Sequence, residues 1–388
     1  MRFTEYKIGD IYESTSGLSK SANEFGFGHP FLPFKTVFAN PYLPERFPEL
    51  ANTTDSERKK CSIKYGDVFL TRTSETLDEL GMSSVALKDY PDATFNGFTK
   101  RLRMKEGCEV EIDPKYLIYY FRSSVFRKRV TSMASLTTRA SLNNSMIDRL
   151  PILLPEIDTQ KKIGQFLFTI DQKIEANETV NKKLEEQMWA VYRNTFSGSR
   201  FAQMTLGEVT KRITERIGER EATVLSAVFT GNLQPSDEHF NKRVYSKDIS
   251  KYIVVDEGNF AYNPARINIG SIGINDLGYL GCVSPVYVVF KTDERYRAFF
   301  RFYFRTSQFK EECKTRAYGS VRQSLNYNDF SNIVVGYPDQ ATAESFDKKW
   351  SFISGVINAN RRESASLERM KRALFEDFIS ERLDADLL

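Results

Sequence analysis

Histidine is almost missing: among 388 residues only His29 and His239 carry an imidazole. A histidine-based triad, a metalloprotease site or a multi-histidine metal centre needs more than that. Cysteine is nearly as scarce. Cys61, Cys108, Cys282 and Cys313 stand far apart and make no C-x-x-C pair, so no structural zinc cage is expected. Four scattered thiols read instead as reduced core residues of a cytosolic protein. Residues 1–10 lack an apolar signal core, and no run approaches the length of a membrane span, so a cytoplasmic chain with no membrane role is the expectation. Charge of one sign is lacking too. With 55 basic and 51 acidic residues the net charge is +4, which permits local nucleic-acid binding without demanding it.

The signatures of covalent chemistry are also absent. No Gly-x-x-x-x-Gly-Lys-Ser/Thr loop exists to cradle phosphates. An amino-methyltransferase grips the exocyclic amine with Asn/Asp-Pro-Pro-Tyr/Phe. Asn40-Pro41-Tyr42 and Asn263-Pro264-Ala265 are each one proline short and wrongly continued. Phe25-Gly26-Phe27-Gly28 imitates a glycine-rich cofactor loop, but His29-Pro30 follows and the segment reads as a turn. No metal-dependent nuclease cluster assembles around Asp92, Asp113 or Asp339. The expectation is a chain that is not an enzyme, with no catalytic residue, metal or cofactor of its own.

What is present is 41% hydrophobic and 27% charged sequence, fit for about two globular domains, and those domains are copies. Residues 159–196 align without a gap on 342–379 at an offset of 183. Ile170 falls on Ile353, Ile174 on Ile357, Asn177 on Asn360 and Leu184 on Leu367. The same offset carries Tyr120-Phe121-Arg122 onto Tyr303-Phe304-Arg305 and Arg139 onto Arg322. Nearer the start the offset drifts, yet Ile8-Gly9-Asp10 resembles Leu206-Gly207-Glu208, and Gly66-Asp67 resembles Gly258-Asn259. The chain is a tandem duplication with diverged N-terminal parts.

Each copy has two pieces. The first mixes short β-like runs, such as residues 67–70 and 283–290, with Gly, Pro and Asn turns and a helix over 114–129. The second is a long helix. From Ile163 through Ile174, Asn177 and Asn181 to Met188, apolar and small polar residues step by four and three, and Phe346 to Phe378 repeats the step. That narrow stripe, charged elsewhere, suits a coiled-coil seam better than a globular interior. The expected architecture is mixed α/β (α+β): two pseudo-repeated globules at 1–155 and 198–338. Two long helices at 156–197 and 339–382 pair as an antiparallel coiled coil. Asn177 and Asn360 lie at the helix midpoints, so antiparallel packing should make them neighbours that fix the register.

The first pieces also carry candidate nucleic-acid contacts. The motif Ala-x-x-Ser/Thr-x-Arg-x-Ser-Leu-Asn occurs at 134–143 and again at 317–326. Arg139 and Ser141, then Tyr318, Arg322 and Ser324, offer a guanidinium, hydroxyls and backbone N–H groups to phosphates, although the serines could equally cap the helix that follows. Loop cations add Arg72 with Thr73, Lys100 with Arg101, Lys242 with Arg243, and Arg266 with Asn268. Arg72 and Arg266 follow expected strands, where base edges come within reach.

The segment Leu153-Leu154-Pro155-Glu156-Ile157-Asp158-Thr159-Gln160-Lys161-Lys162-Ile163, with Ile170-Asp171-Gln172-Lys173-Ile174, Asn177 and Leu184, resembles the central region of specificity subunits of type I restriction–modification systems. The second helix resembles it less, having Ala343 for Gln160 and Ser354 for Asp171. The resemblance implies a non-catalytic DNA reader. Each target recognition domain would bind one half of a split site on double-stranded DNA. The helices would set the spacer and dock two methyltransferase subunits through residues such as Gln160, Ile163, Asp171 and Ile174. Nuclease–translocase subunits would complete the assembly, with S-adenosylmethionine, ATP and magnesium bound by partners. A recognition partner of a stand-alone methyltransferase, or a coiled-coil scaffold without DNA, would keep the same fold.

Overall fold

A computed structural model describes residues 2–73, 79–134, 141–198, 201–228, 231–239, 245–316 and 324–380. The chain forms two compact units, 1–177 with 362–388 and 178–361. The boundary cuts both long helices, Ile157–Phe196 and Gln340–Ile379, near their middles. Each long helix is thus shared between the two units.

In the first unit the strand Phe3–Lys7 pairs antiparallel with Pro151–Pro155, closing the globule just before the helix starts. Between them lies an antiparallel sheet of four strands in the order Tyr12–Ser16, Thr99–Met104, Val68–Thr71, Ser83–Val85. A smaller sheet joins Glu49–Ala51, Phe25–Leu32 and Thr94–Phe95. The Phe25–Gly28 run is therefore strand, not the expected turn: Gly26 and Gly28 take φ of 95° and 93°, and the register slips between Phe25 and His29 as at a bulge.

The second unit repeats the plan. Ala202–Thr205 pairs with Val334–Tyr337, and a four-stranded sheet runs Thr210–Ile213, Val288–Thr292, Phe260–Tyr262, Ile272–Ile274. Register makes the equivalence explicit. Val68 sits opposite Leu102 and Val85, just as Phe260 sits opposite Phe290 and Ile274. The single run expected at 283–290 is two strands, Gly281–Val283 and Val288–Thr292, split by a turn in which Tyr287 N–H donates to Ser284 O at 2.9 Å.

The helix expected over 114–129 is likewise two, Pro114–Tyr120 and Ser124–Ala134. Ser123 separates them: its hydroxyl donates to Tyr120 O at 2.7 Å and accepts from Phe126 N–H at 3.2 Å. Thr306 does the same between Arg297–Tyr303 and Ser307–Arg316, at 2.7 Å to Tyr303 O and 3.2 Å from Phe309 N–H. A hydroxyl that ends one helix and caps the next re-aims the chain. In both units this turns Phe126 or Phe309 into the core.

Each core closes over the half-helices. Ile163, Leu167, Ile170 and Ile174 with Phe375 and Phe378 complete the first; Met188 and Tyr192 with Phe346 complete the second. Within the first unit the halves run antiparallel, with Asp171 beside Lys371 and Asn177 beside Ser364. Within the second, Asn181 meets Asn360 and Glu185 meets Arg361.

Candidate nucleic-acid interface

In each unit one corner of the four-stranded sheet described above gathers several of the sequence-expected contacts. In the first unit the strand Val68–Thr71 ends into Arg72, whose N–H donates to Phe98 O and whose carbonyl accepts from Leu142 N–H, at 2.8 and 2.9 Å. Thr73 bridges to Ser141. The guanidinium of half-buried Arg72 keeps its Nε buried with no hydrogen-bond partner among the described residues. A buried, unbonded donor is costly, so this side chain is poised to gain from an acceptor.

Lys100 and Arg101 do not stand at that surface. Each is only 6% exposed. Lys100 Nζ donates to Ser16 Oγ at 2.7 Å and Asn144 Oδ1 at 2.5 Å. Arg101 donates to Ser62 O at 2.6 Å, and its guanidinium lies 5.6 Å from the Phe95 ring centroid. Burial first, then nearby Arg72, holds the Lys100 ammonium below the ordinary lysine range; burial and then Arg103 do the same to Arg101. The strand Thr99–Met104 is covered on both faces, so neither of two successive side chains reaches solvent there. These two cations belong to the scaffold, a correction to the sequence expectation.

In the second unit the corresponding strand runs into Asn263-Pro264, and Pro264 O accepts from Leu325 N–H at 3.1 Å. Arg266 is exposed and precedes the short turn Ile267–Ile269, where Asn268 is half-buried; Gly270 closes the turn with φ of 89°. Ser324 is exposed as well. A cavity of about 290 Å³ is lined here by Arg212, Pro264, Val286, Ser324, Asn326 and Tyr327. The exposed Arg212 lies 5.5 Å over the Tyr327 ring. Sequence reasoning passed over Arg212; the signal was its place just after the repeat marker Leu206-Gly207-Glu208.

The two corners are built alike and furnished differently. Asn144 and Tyr327 occupy the same position, 183 residues apart, one held by Lys100 and the other under Arg212. The helix caps are alike too. Asn143 accepts from Met146 N–H at 2.9 Å and Asn326 from Asp329 N–H at 3.0 Å. The capping expected of Ser141 and Ser324 thus falls to the asparagines two residues on, one place before each helix begins. Arg139, Lys242, Arg243, Tyr318 and Arg322 lie outside the described residues.

The helix residues expected to meet a partner point inward. Gln160 is 1% exposed; its Oε1 accepts from Asp113 N–H at 3.0 Å and its Nε2 donates to Pro155 O and Glu111 O at 2.8 and 3.2 Å. Ile163 and Ile174 are buried in the first core. Asp171 accepts from Tyr119 Oη at 2.6 Å and pairs with Lys371. Gly164 lets the helix press on its globule, since a Cβ there would meet Tyr116 N at 2.7 Å. This face of the helix is spent on its own unit, contrary to a docking role.

The midpoint asparagines bond one helical turn from the expected register. Asn177 Nδ2 donates to Glu363 Oε2 at 2.8 Å and Ser364 Oγ at 3.3 Å; Asn360 Nδ2 donates to Asn181 Oδ1 at 2.9 Å. The pairs 177 with 364 and 181 with 360 are equivalents under the 183-residue offset. Small and polar residues at 181 and 364, as well as at 177 and 360, leave each asparagine a partner a turn away.

Among the described residues no three His, Cys, Asp or Glu side chains converge to hold a metal, and no helix is long and apolar enough to cross a membrane. Between them the corners combine half-buried Arg72, exposed Arg212 and Arg266, hydroxyls, amides and, in the second unit, an aromatic ring under a guanidinium, which suits a polyanion with base edges to read.

Comparison with known proteins agrees. Residues 2–186 match the family described as type I restriction modification DNA specificity domain. The chain is 20% identical, over 95% of its own length and 90% of the other's, to the protein assigned as the type I restriction enzyme MjaX specificity subunit of Methanocaldococcus jannaschii. It is 24% identical over 52% of its length to the type I restriction enzyme EcoKI specificity subunit of Escherichia coli K12, covering 41% of that protein. The crystal structure of a type I restriction–modification S subunit from M. genitalium has the same fold, with a TM-score of 0.59 at 13% identity over 96% of this chain and 95% of that one.

Proposed function

We propose that the chain is a specificity subunit of a type I restriction–modification system, as the match of residues 2–186 to that family's DNA specificity domain and the full-length likeness to a specificity subunit support, and that it reads a bipartite DNA site, one half per globule. The observation that carries the reading is the recurrence of one corner with unlike chemistry. The same strand end, the same Leu142 and Leu325 anchor and the same asparagine cap present Arg72, Thr73 and Asn144 in one copy. In the other they present Arg212, Arg266 and Tyr327. A duplicated scaffold with different surfaces is what two different half-sites require.

The remaining parts follow from that reading. Arg139 and Arg322, one per repeat, contact phosphates. The long helices set the unspecified spacer. Two methyltransferase subunits dock on the outward helix faces, because Gln160, Ile163, Asp171 and Ile174 are occupied within the chain. Nuclease–translocase subunits join the full complex. Methyl transfer and translocation, with their S-adenosylmethionine, ATP and magnesium, belong to those partners, and the chain itself catalyses nothing.

The test is a methylation map of the chain assembled with its methyltransferase subunits. The expected product is one asymmetric motif of two short specified blocks around an unspecified gap. Methylation without sequence preference, or at one uninterrupted block, contradicts the reading. Binding to the mapped site should also weaken steeply as salt rises, because bound phosphates release counterions. A protein-binding scaffold would have no such slope.

A further inference from the structure

Two exposed apolar side chains occupy one and the same place in the two repeats. The registers make Lys100 equivalent to Val288, so Phe98 and Val286 are matching residues, each two positions before. Phe98 is 59% exposed and Val286 65%. Single exposed apolar residues are common and mean nothing alone. These recur at one position in copies whose loops have otherwise diverged, and both stand at the corner just described.

Their mounting is stiff. Phe98 N–H donates to Asn96 Oδ1 at 2.7 Å, Thr99 N–H to Asn96 O at 3.0 Å, and Phe98 O accepts from Arg72 N–H at 2.8 Å. The backbone is tied on both sides while the ring stands in solvent. Val286 lies in the turn fixed by the Tyr287 N–H to Ser284 O bond and lines the 290 Å³ cavity with Arg212, Ser324 and Tyr327. An exposed side chain held by a bonded backbone costs little further ordering when it meets a ligand.

Taking the DNA-reading function as given, we infer that Phe98 and Val286 determine specificity, each by apolar contact with the 5-methyl group of a thymine in the half-site its own domain reads. In the major groove that methyl is the apolar feature distinguishing A·T pairs from G·C, and it takes an apolar partner. The flanking Arg72 in one copy and Arg212 with Ser324 in the other supply the polar contacts alongside. A phenyl ring at one corner and an isopropyl group at the other fit different blocks.

The experiment uses the complex with its methyltransferase subunits and duplexes carrying the mapped motif, with each thymine in turn replaced by uracil. Losing one methyl contact weakens binding by about four-fold. With the unaltered chain, one such replacement should have that effect in each block. Phe98→Ala should weaken binding at least as much and abolish the uracil effect in one block only; Val286→Ala should do so in the other. Phe98→Leu and Val286→Ile, which keep an apolar tip, should restore it. Half-sites without thymine, uracil effects that add to the alanine effects, or alanine variants that bind and methylate like the parent chain overturn the inference while leaving the bipartite reading intact. A parent complex without sequence preference overturns that reading and this inference with it.

Discussion

Replacing Gln160 by leucine separates two roles for one residue: tying the first long helix to its globule, or reaching a partner subunit. The carboxamide makes three hydrogen bonds, all to backbone groups of the first unit. Leucine fills a similar volume and leaves the Asp113 N–H and the carbonyls of Glu111 and Pro155 without it. An orphaned buried N–H costs about 1–3 kcal/mol, and carbonyls with a second lone pair cost less. Together the loss should be about 3 kcal/mol, or roughly 6–12 °C in melting temperature for a unit of this size. Hydrogen exchange should show lost protection in Pro114–Tyr120 and the first turns of the long helix. Trp189 and Trp350 both lie in the other unit, so their fluorescence reports it separately. Methyltransferase affinity of the folded variant should be unchanged. A variant that melts within about 0.5 kcal/mol of the parent, yet no longer binds the methyltransferase, would refute the reasoning.

Other consequences are equally direct. Asn143→Ala and Asn326→Ala should each cost about 1 kcal/mol through loss of the cap, whereas Ser141→Ala and Ser324→Ala should cost a few tenths in urea titrations. Lys371→Met leaves the buried Asp171 carboxylate without its cation and should cost about 3 kcal/mol; adding Asp171→Leu should recover much of it, and a double-mutant cycle reads the coupling. Burial pushes the Cys282 thiol up to about 11 and the Cys313 thiol up to about 12 from 9.0, in the latter case with Glu312 adding to it. Between pH 9 and those folded values the thiols therefore ionise mainly when the chain unfolds. Stability should fall by about 1.4 kcal/mol per pH unit for each thiol between pH 9 and its folded value, and alkylation of the native chain near pH 8 should find half-buried Cys108 first.

Much of the architecture could be read from the sequence because it rests on periodicity. The four-three spacing located both long helices within three residues of Ile157–Phe196 and Gln340–Ile379, and the constant offset exposed the duplication. Local rules were less decisive. Ser123 and Thr306 look unremarkable inside an apolar helical pattern, yet their hydroxyls break it. Either Ser141 or Asn143 could cap the next helix on propensity; geometry chose Asn143. Lys100 and Arg101 read as surface cations because burying two successive charges is expensive. Ser16, Asn144, Ser62 O and the Phe95 ring, distant in sequence, make it tolerable. Partners of that kind arise from tertiary structure and leave no local mark.

The central claim is that the two globules are separate readers of one design. It is tested most directly by replacing residues 198–338 with a second copy of 1–155 and mapping the sites methylated by the resulting complex. Two copies of the same reader on antiparallel helices predict a palindromic motif in which the first block recurs, inverted, across the gap. Retention of the original asymmetric motif by the folded exchange variant would contradict the account.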